Sequence, residues 1–196
     1  MSKGDVVNAV STALAGLAVL LQVVVVAIVV LALLSTVFAP VRRLLAEIRD
    51  TLLGGEIWMA WAVAATATLG SLFFSEYANF LPCRLCWFQR ICMYPLFVVL
   101  LVGALRRDAR AAVQYAFVMP IIGIGVSIYH VYIENHPSAE TAACRAGGVS
   151  CTTKWIDKFG YITIPTLAMT AFATIIVLLA MAWSRRDRGV ARVSGP

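Results

Sequence analysis

Between Ala13 and Leu34 the chain has no charged side chain and a single amide, Gln22, in an unbroken run of Val, Leu, Ala, Ile and Gly. A helix needs roughly 20 mostly apolar residues to cross the hydrocarbon core of a bilayer, and a run of this kind cannot be hidden inside a small soluble fold. Ile57–Phe74, Leu85–Leu105, Val113–Val131 and Ile162–Trp183 approach the same length. With 61% hydrophobic and 13% charged residues, the 196-residue chain lies outside the range of ordinary soluble domains. It therefore reads as an all-α membrane protein with five spans. The first run is too long, and its start too weakly basic, for a secretory signal.

A formal charge of +6 raises the question of nucleic acid, but the arginines punctuate the apolar runs as topology signals do. Arg42, Arg43 and Arg49 follow the first run, Arg106, Arg107 and Arg110 follow the third, and Arg185, Arg186, Arg188 and Arg192 follow the last. The positive-inside rule puts these three segments in the cytoplasm and Ser75–Pro82 and Tyr132–Tyr161 outside, together with the N-terminus. Nucleic acid is excluded as a partner, and lipid is the expected surroundings. Pro40 and the following VRRLLAEIRDTLL read as an amphipathic connector at the cytoplasmic surface. The organisation expected is an additional N-terminal helix and connector over 1–55, a four-helix bundle over 56–184 and a basic cytoplasmic tail over 185–196.

Five cysteines then become informative, because they fall as two close pairs, Cys83/Cys86 and Cys144/Cys151, with Cys92 left over. Both pairs lie on the oxidising face of the predicted topology. Pro82 is read as the start of the third span, which places Cys83 and Cys86 in its opening turns, where free N–H groups and the helix dipole favour a thiolate. Arg90 follows Cys86 by one turn on the same face and would favour the Cys86 thiolate further. An arginine this far into a span costs about 2.5–3.5 kcal/mol at mid-bilayer and less near the interface. An interfacial anchor is one explanation; a cation that stabilises a quinone headgroup as it becomes anionic is the other.

Gly147 and Gly148 would let the external loop fold back so that Cys144 and Cys151 can meet, either as a staple or as a mobile disulfide relay to the CxxC pair. Lys154–Phe159 alternates charged and aromatic residues and suits a short surface helix that roofs a quinone site. Trp58, Trp61 and Trp183 read as interfacial anchors, Gln22, Gly123 and Gly125 as helix-packing residues, and Cys92 as an inert buried thiol. His130 and His136 stand at the outer end of the fourth span, where a solvated or interfacial state is expected and proton shuttling to a reduced quinone is the alternative.

Taken in order, CxLCWFQR followed by ICMYP, a cysteine pair in the next external loop, and Phe159-Gly-Tyr-Ile-Thr-Ile-Pro-Thr-Leu167 opening the last span resemble the DsbB family of disulfide bond formation proteins, most closely its BdbC-like branch. The resemblance covers about Ile57 to Trp183 and implies a four-helix transmembrane bundle of DsbB type, to which this chain adds one N-terminal transmembrane helix. It further implies a bacterial inner-membrane protein with its cysteine loops on the extracytoplasmic face, a bound ubiquinone or menaquinone, and a DsbA-like thioredoxin-fold partner. By position, Cys83 and Cys86 resemble the quinone-coupled disulfide with Cys86 next to the quinone, and Arg90 the quinone-site arginine. Cys144 and Cys151 resemble the shuttle pair, Cys144 forming the mixed disulfide. The loop cysteines stand closer together than in enteric members.

Three rivals remain. A vitamin K epoxide reductase-like enzyme also couples cysteines to quinones, but there the loop cysteines precede the membrane CxxC, whereas here they follow it. A Cys₄ zinc module and a disulfide-stapled structural subunit are the others, the former disfavoured by an external location and an adjacent arginine.

Overall fold

The computed structural model describes residues 2–51, 55–146 and 148–193, so Gly147 lies outside the described residues. Helix α1 spans Lys3–Leu34 and α2 Ala39–Thr51; α3 (Glu56–Leu72) continues as a π-helical turn, Phe73–Tyr77. Then follow α4 (Arg84–Leu105), α5 (Ala109–Ala116), α6 (Val118–Asn135), a 3₁₀ turn at Pro137–Ala139, α7 (Ala142–Arg145) and α8 (Ile164–Val193). Among the described residues the only β pairing is the isolated bridge between Lys158 and Ile162. Five segments are long and apolar enough to span a bilayer: α1, Glu56–Tyr77, α4, Ala112–Asn135 and Ile164–Trp183.

Several boundaries differ from the sequence reading for local reasons. The first helix starts at Lys3, because Ser2 and Asp5 cap it reciprocally: Asp5 N–H donates to Ser2 Oγ (3.2 Å) and Ser2 N–H to Asp5 Oδ2 (2.8 Å). The fourth span is broken between Ala116 and Val118. Pro120 explains the break, since a proline ring clashes with the carbonyl four residues earlier, here that of Ala116. The helix expected over Lys154–Phe159 is absent. Phe159 (φ 56) and Gly160 (φ 77) instead turn the chain through left-handed backbone, and Lys158 and Ile162 exchange hydrogen bonds across that turn.

The core lies among α3, α4, α6 and α8, around Leu96, Leu100, Phe172, Ile175 and Leu179, all with no exposed surface. Gly123 on α6 is a close-approach position, since a Cβ there would overlap the Phe172 ring. Gly125, expected to do the same, faces open space. Gln22 does act between helices, donating to Thr170 Oγ1 and accepting from the Tyr161 hydroxyl. Cys92 is half-buried against the core.

Helices alternate in direction, so the α3–α4 connection, the α6–α8 loop and the start of α1 share one end. Contacts across that end confirm it: Arg84 Nη1 donates to Ala143 O, the Phe80 ring stacks on Trp155, and Lys158 Nζ donates to Asn8 Oδ1. Both cysteine pairs are therefore held at the same end.

Candidate active site

Pro82, expected to start the helix, stands two residues before α4, and Cys83 is the N-cap, with extended backbone (φ −73, ψ 174). Its Sγ accepts the N–H of Cys86 (3.3 Å), one of the helix-start donors that otherwise have no intrahelical partner. The donor expected to favour a Cys86 thiolate is thus directed at Cys83. The two sulfurs lie 2.8 Å apart. His130, expected at an interface, is buried at 2% exposure, with Nε2 3.0 Å from the carbonyl oxygen of Cys151 and 3.5 Å from Cys83 Sγ. The carbonyl can only accept, so Nε2 carries a proton that also faces the sulfur. The hydrogen bond from Cys86 first, then the hydrogen bond and charge of His130, hold the Cys83 thiol far below its ordinary range, at about 4, against the opposing effect of burial.

Cys144 and Cys151 are joined as a disulfide with Cα atoms 5.8 Å apart. Thr141 caps the single turn of α7 that carries Cys144. Gly148 (φ 83) turns the chain back, and Glu140 Oε1 accepts both the Cys151 N–H (2.7 Å) and the Ser150 hydroxyl (2.7 Å). Cys83, Cys144 and Cys151 are buried in one cluster with Leu85 and Ile133. The loop disulfide therefore sits on the Cys83 side of the CxxC pair.

On the other side, Cys86 lines a cavity of about 380 Å³ between α1, α3, α4 and α8. Its walls are mostly apolar, with a few convergent polar groups, the usual constitution of a small-molecule site. Arg90 joins Cys86 on the lining; its Nη2 donates to Ser71 O (3.3 Å) and its guanidinium lies over the Trp87 ring, 5.3 Å from the centroid. Gln89, buried, donates to Ser127 Oγ (3.1 Å). Phe74, Phe80 and Trp155 line the outer part as a continuous stack, with successive ring centroids 5.8 and 4.9 Å apart. Trp155 thus reaches the site from a turn, without the helix expected to carry it.

A sequence model of the family described as "Disulfide bond formation protein DsbB" matches residues 54–183. The chain belongs to the DsbB family. It is 47% identical over 118 residues to "Probable disulfide formation protein C" of Halalkalibacterium halodurans, covering 60% of this chain and 85% of that one. With "Disulfide bond formation protein C" of Bacillus subtilis it shares 42% identity over 125 residues, 64% of this chain and 90% of the other. A "Probable disulfide formation protein" of Chlamydia pneumoniae is 40% identical over 133 residues, 68% and 93% of the two chains. No solved structure matches. As a DsbB-family protein of the BdbC-like branch, the chain is a multi-pass membrane protein of disulfide bond formation. Helices α1 and α2 precede the matched segment.

Within this DsbB-family fold, Cys83, Cys86, Arg90, Cys144 and Cys151 all gather at one end of the bundle. Gln89 and Glu140, not singled out for the site from sequence, join them there, as does His130, for which the sequence offered proton shuttling only as the alternative to a solvated or interfacial state. For His130 the available signal was its period: it falls on the face of α6 with Ser127 and Gly123, both buried.

Proposed function

We propose that this protein is an integral membrane protein-dithiol:quinone oxidoreductase that reoxidises a DsbA-like thioredoxin-fold partner outside the cytoplasm and delivers the electrons to a membrane quinone, ubiquinone or menaquinone. One observation carries the reading: Cys83 is buried with the loop disulfide, whereas Cys86, in contact with it, opens onto an apolar cavity with Arg90. The positive-inside pattern supports an extracytoplasmic position for both pairs. The cavity fits a quinone in chemistry, with a flat aromatic wall for a ring, a guanidinium for its oxygens and aliphatic surface for a tail.

The exchange is balanced through the chain's own sulfurs. A partner thiolate attacks Cys144 Sγ, the Cys144–Cys151 bond breaks, and Cys151 leaves as a thiolate. The partner's second thiol resolves the mixed disulfide, so the partner is oxidised and the loop pair holds two electrons and two protons. A loop thiolate then attacks Cys83 Sγ of the oxidised Cys83–Cys86 pair, and Cys86 leaves as a thiolate on the cavity side, beside Arg90. The second loop thiol closes Cys144–Cys151 again and leaves the CxxC pair reduced. Quinone, when bound, supplies a two-electron, two-proton acceptor for that pair. Arg90 offsets negative charge there, and the His130 N–H steadies the Cys83 thiolate while it waits to re-form its bond with Cys86.

The experiment is oxidation of a reduced DsbA-like protein by the purified chain with and without added quinone, together with extraction of bound quinone and metal analysis. Quinone-dependent turnover and two reducible disulfides are expected. Stoichiometric zinc on Cys83, Cys86 and His130 without quinone turnover would overturn the reading. Accessibility of the four cysteines to a membrane-impermeant thiol reagent from the cytoplasmic side alone would reverse the proposed topology.

A further inference from the structure

Helix α1 precedes the family-matched segment, yet it is built into the cavity. Ser11, Ala15, Ala18, Gln22 and Val25 recur at alternating spacings of four and three residues, the seam of a helix docked along another. Ser11, Ala15 and Ala18 are buried at 1%, 0% and 5% exposure, and residues this small let backbones approach closely. Leu14 reaches across to Gly70 on α3, where an added Cβ would stand 3.2 Å from its Cδ1. Polar ties fix the height and rotation of the helix: Gln22 Nε2 to Thr170 Oγ1 (2.9 Å), Tyr161 hydroxyl to Gln22 Oε1 (2.9 Å), and Lys158 Nζ to Asn8 Oδ1 (2.5 Å). An amide in lipid is expensive unless both its ends are bonded, and here both are. In this seating Leu14, Leu17, Ala18 and Leu21 form the α1 side of the same cavity that Cys86 and Arg90 line.

We propose that α1 is a binding wall for the quinone, its leucines and Ala18 holding the ring-proximal isoprenoid part of the tail, so that this helix sets how tightly and which quinones bind. The inference rests on the quinone reading above. It assigns α1 a role that a mere anchor, exposed to lipid over most of its surface, would not have.

The test uses full-length protein and a decyl-tailed benzoquinone. Binding is read from quenching of tryptophan fluorescence, since Trp155 lines the cavity, and KM is measured separately for quinone and for the reduced partner. Ala18→Phe fills the tail surface, and should weaken quinone binding about tenfold or more while leaving the KM for the partner unchanged. Val26→Phe, on the lipid-facing side of the same helix at 61% exposure, should match the unsubstituted protein. Leu21→Ala removes tail contact without adding bulk, and should weaken binding about threefold; it decides the matter if Ala18→Phe fails to insert. Quinone binding in Ala18→Phe and Leu21→Ala equal to that of the unsubstituted protein, or lost equally in Val26→Phe, overturns the role of α1 and leaves the quinone reading intact. An unsubstituted protein that binds no quinone overturns both.

Discussion

Replacing Arg90 by methionine separates a catalytic cation from a membrane anchor, because the structure sets the two costs apart. In the fold Arg90 has one hydrogen bond to a backbone carbonyl, Ser71 O at 3.3 Å, and one cation–π contact with Trp87. A neutral-acceptor hydrogen bond is worth about 0.5–1.5 kcal/mol net and a cation–π contact about 0.5–1 kcal/mol. Methionine recovers part of this, since it removes a charge from an apolar setting. The net loss of stability should therefore stay within about 2 kcal/mol. Withdrawing a preorganised donor from a site of developing negative charge typically costs about 2.7–4 kcal/mol, or 10²- to 10³-fold in rate. Arg90→Met should thus insert, fold and form both disulfides, yet lose about two to three orders of magnitude in quinone-dependent oxidation of a reduced DsbA-like partner. Arg90→Lys keeps the charge without the planar fork of donors and should fall between. The assay is run at several quinone concentrations beside thermal unfolding in detergent. A well-folded Arg90→Met protein with unchanged quinone kinetics would reduce Arg90 to an interfacial anchor and refute the argument from its position.

Other consequences can be measured independently. His130→Asn removes one of the two partners that depress the Cys83 thiol, so the pH midpoint of its alkylation in reduced protein should rise from about 4, while the larger effect of Cys86 keeps it below that of an ordinary thiol; an unmoved midpoint would remove His130 from the relay. In the reduced protein this depressed thiol contributes stability that is fully present above the unfolded thiol's pKa and is lost as pH falls through about 4, so the His130→Asn difference in unfolding should vanish in acid. A reduced partner whose second, resolving cysteine is replaced by alanine should accumulate a reductant-sensitive mixed disulfide with Cys144 of the unsubstituted chain, visible on non-reducing gels and mapped by peptide mass spectrometry; a mixed disulfide mapped to Cys151 instead would exchange the two roles. Gly123→Ala should destabilise the bundle by about 1–3 kcal/mol, because its Cβ meets the Phe172 ring; unchanged thermal stability would show that the ring can move aside.

What could be read in the sequence follows from which forces act locally. Apolar runs of bilayer length report helices directly, and the spacing of Cys86 and Arg90 places them on one face whatever surrounds them, so spans and the lining pair were legible. Side chains whose role depends on neighbours distant in the chain were not. His130 looks like any histidine at a helix end until the loop brings Cys151 O and Cys83 Sγ onto its Nε2. The alternation over Lys154–Phe159 fits more than one periodicity, and the positive-φ turn at Phe159 and Gly160 decided against a helix. The direction of the helix-start N–H towards Cys83 depended on a two-residue difference in where α4 begins, Arg84 in place of Pro82, which is finer than sequence boundaries resolve. Seating of α1 was signalled only by small residues in its Val- and Leu-rich run, a pattern that lipid contact alone also permits.

The seating of α1 has a consequence for biogenesis. The partners of Gln22 stand 139 and 148 residues later in the chain, and the partner of Asn8 150 residues later. Helix α1 thus leaves the ribosome well before the residues it is tied to, and its polar ties are completed only once the start of α8 has been synthesised. Until then α1 crosses the bilayer as a lone helix with an unsatisfied amide, a state that favours waiting at a protein-lined insertion site over free diffusion in lipid. Assembly of the cavity is therefore a late, closing event that joins α1 to α8, and chains truncated before Tyr161 should insert all their earlier spans and still leave α1 undocked.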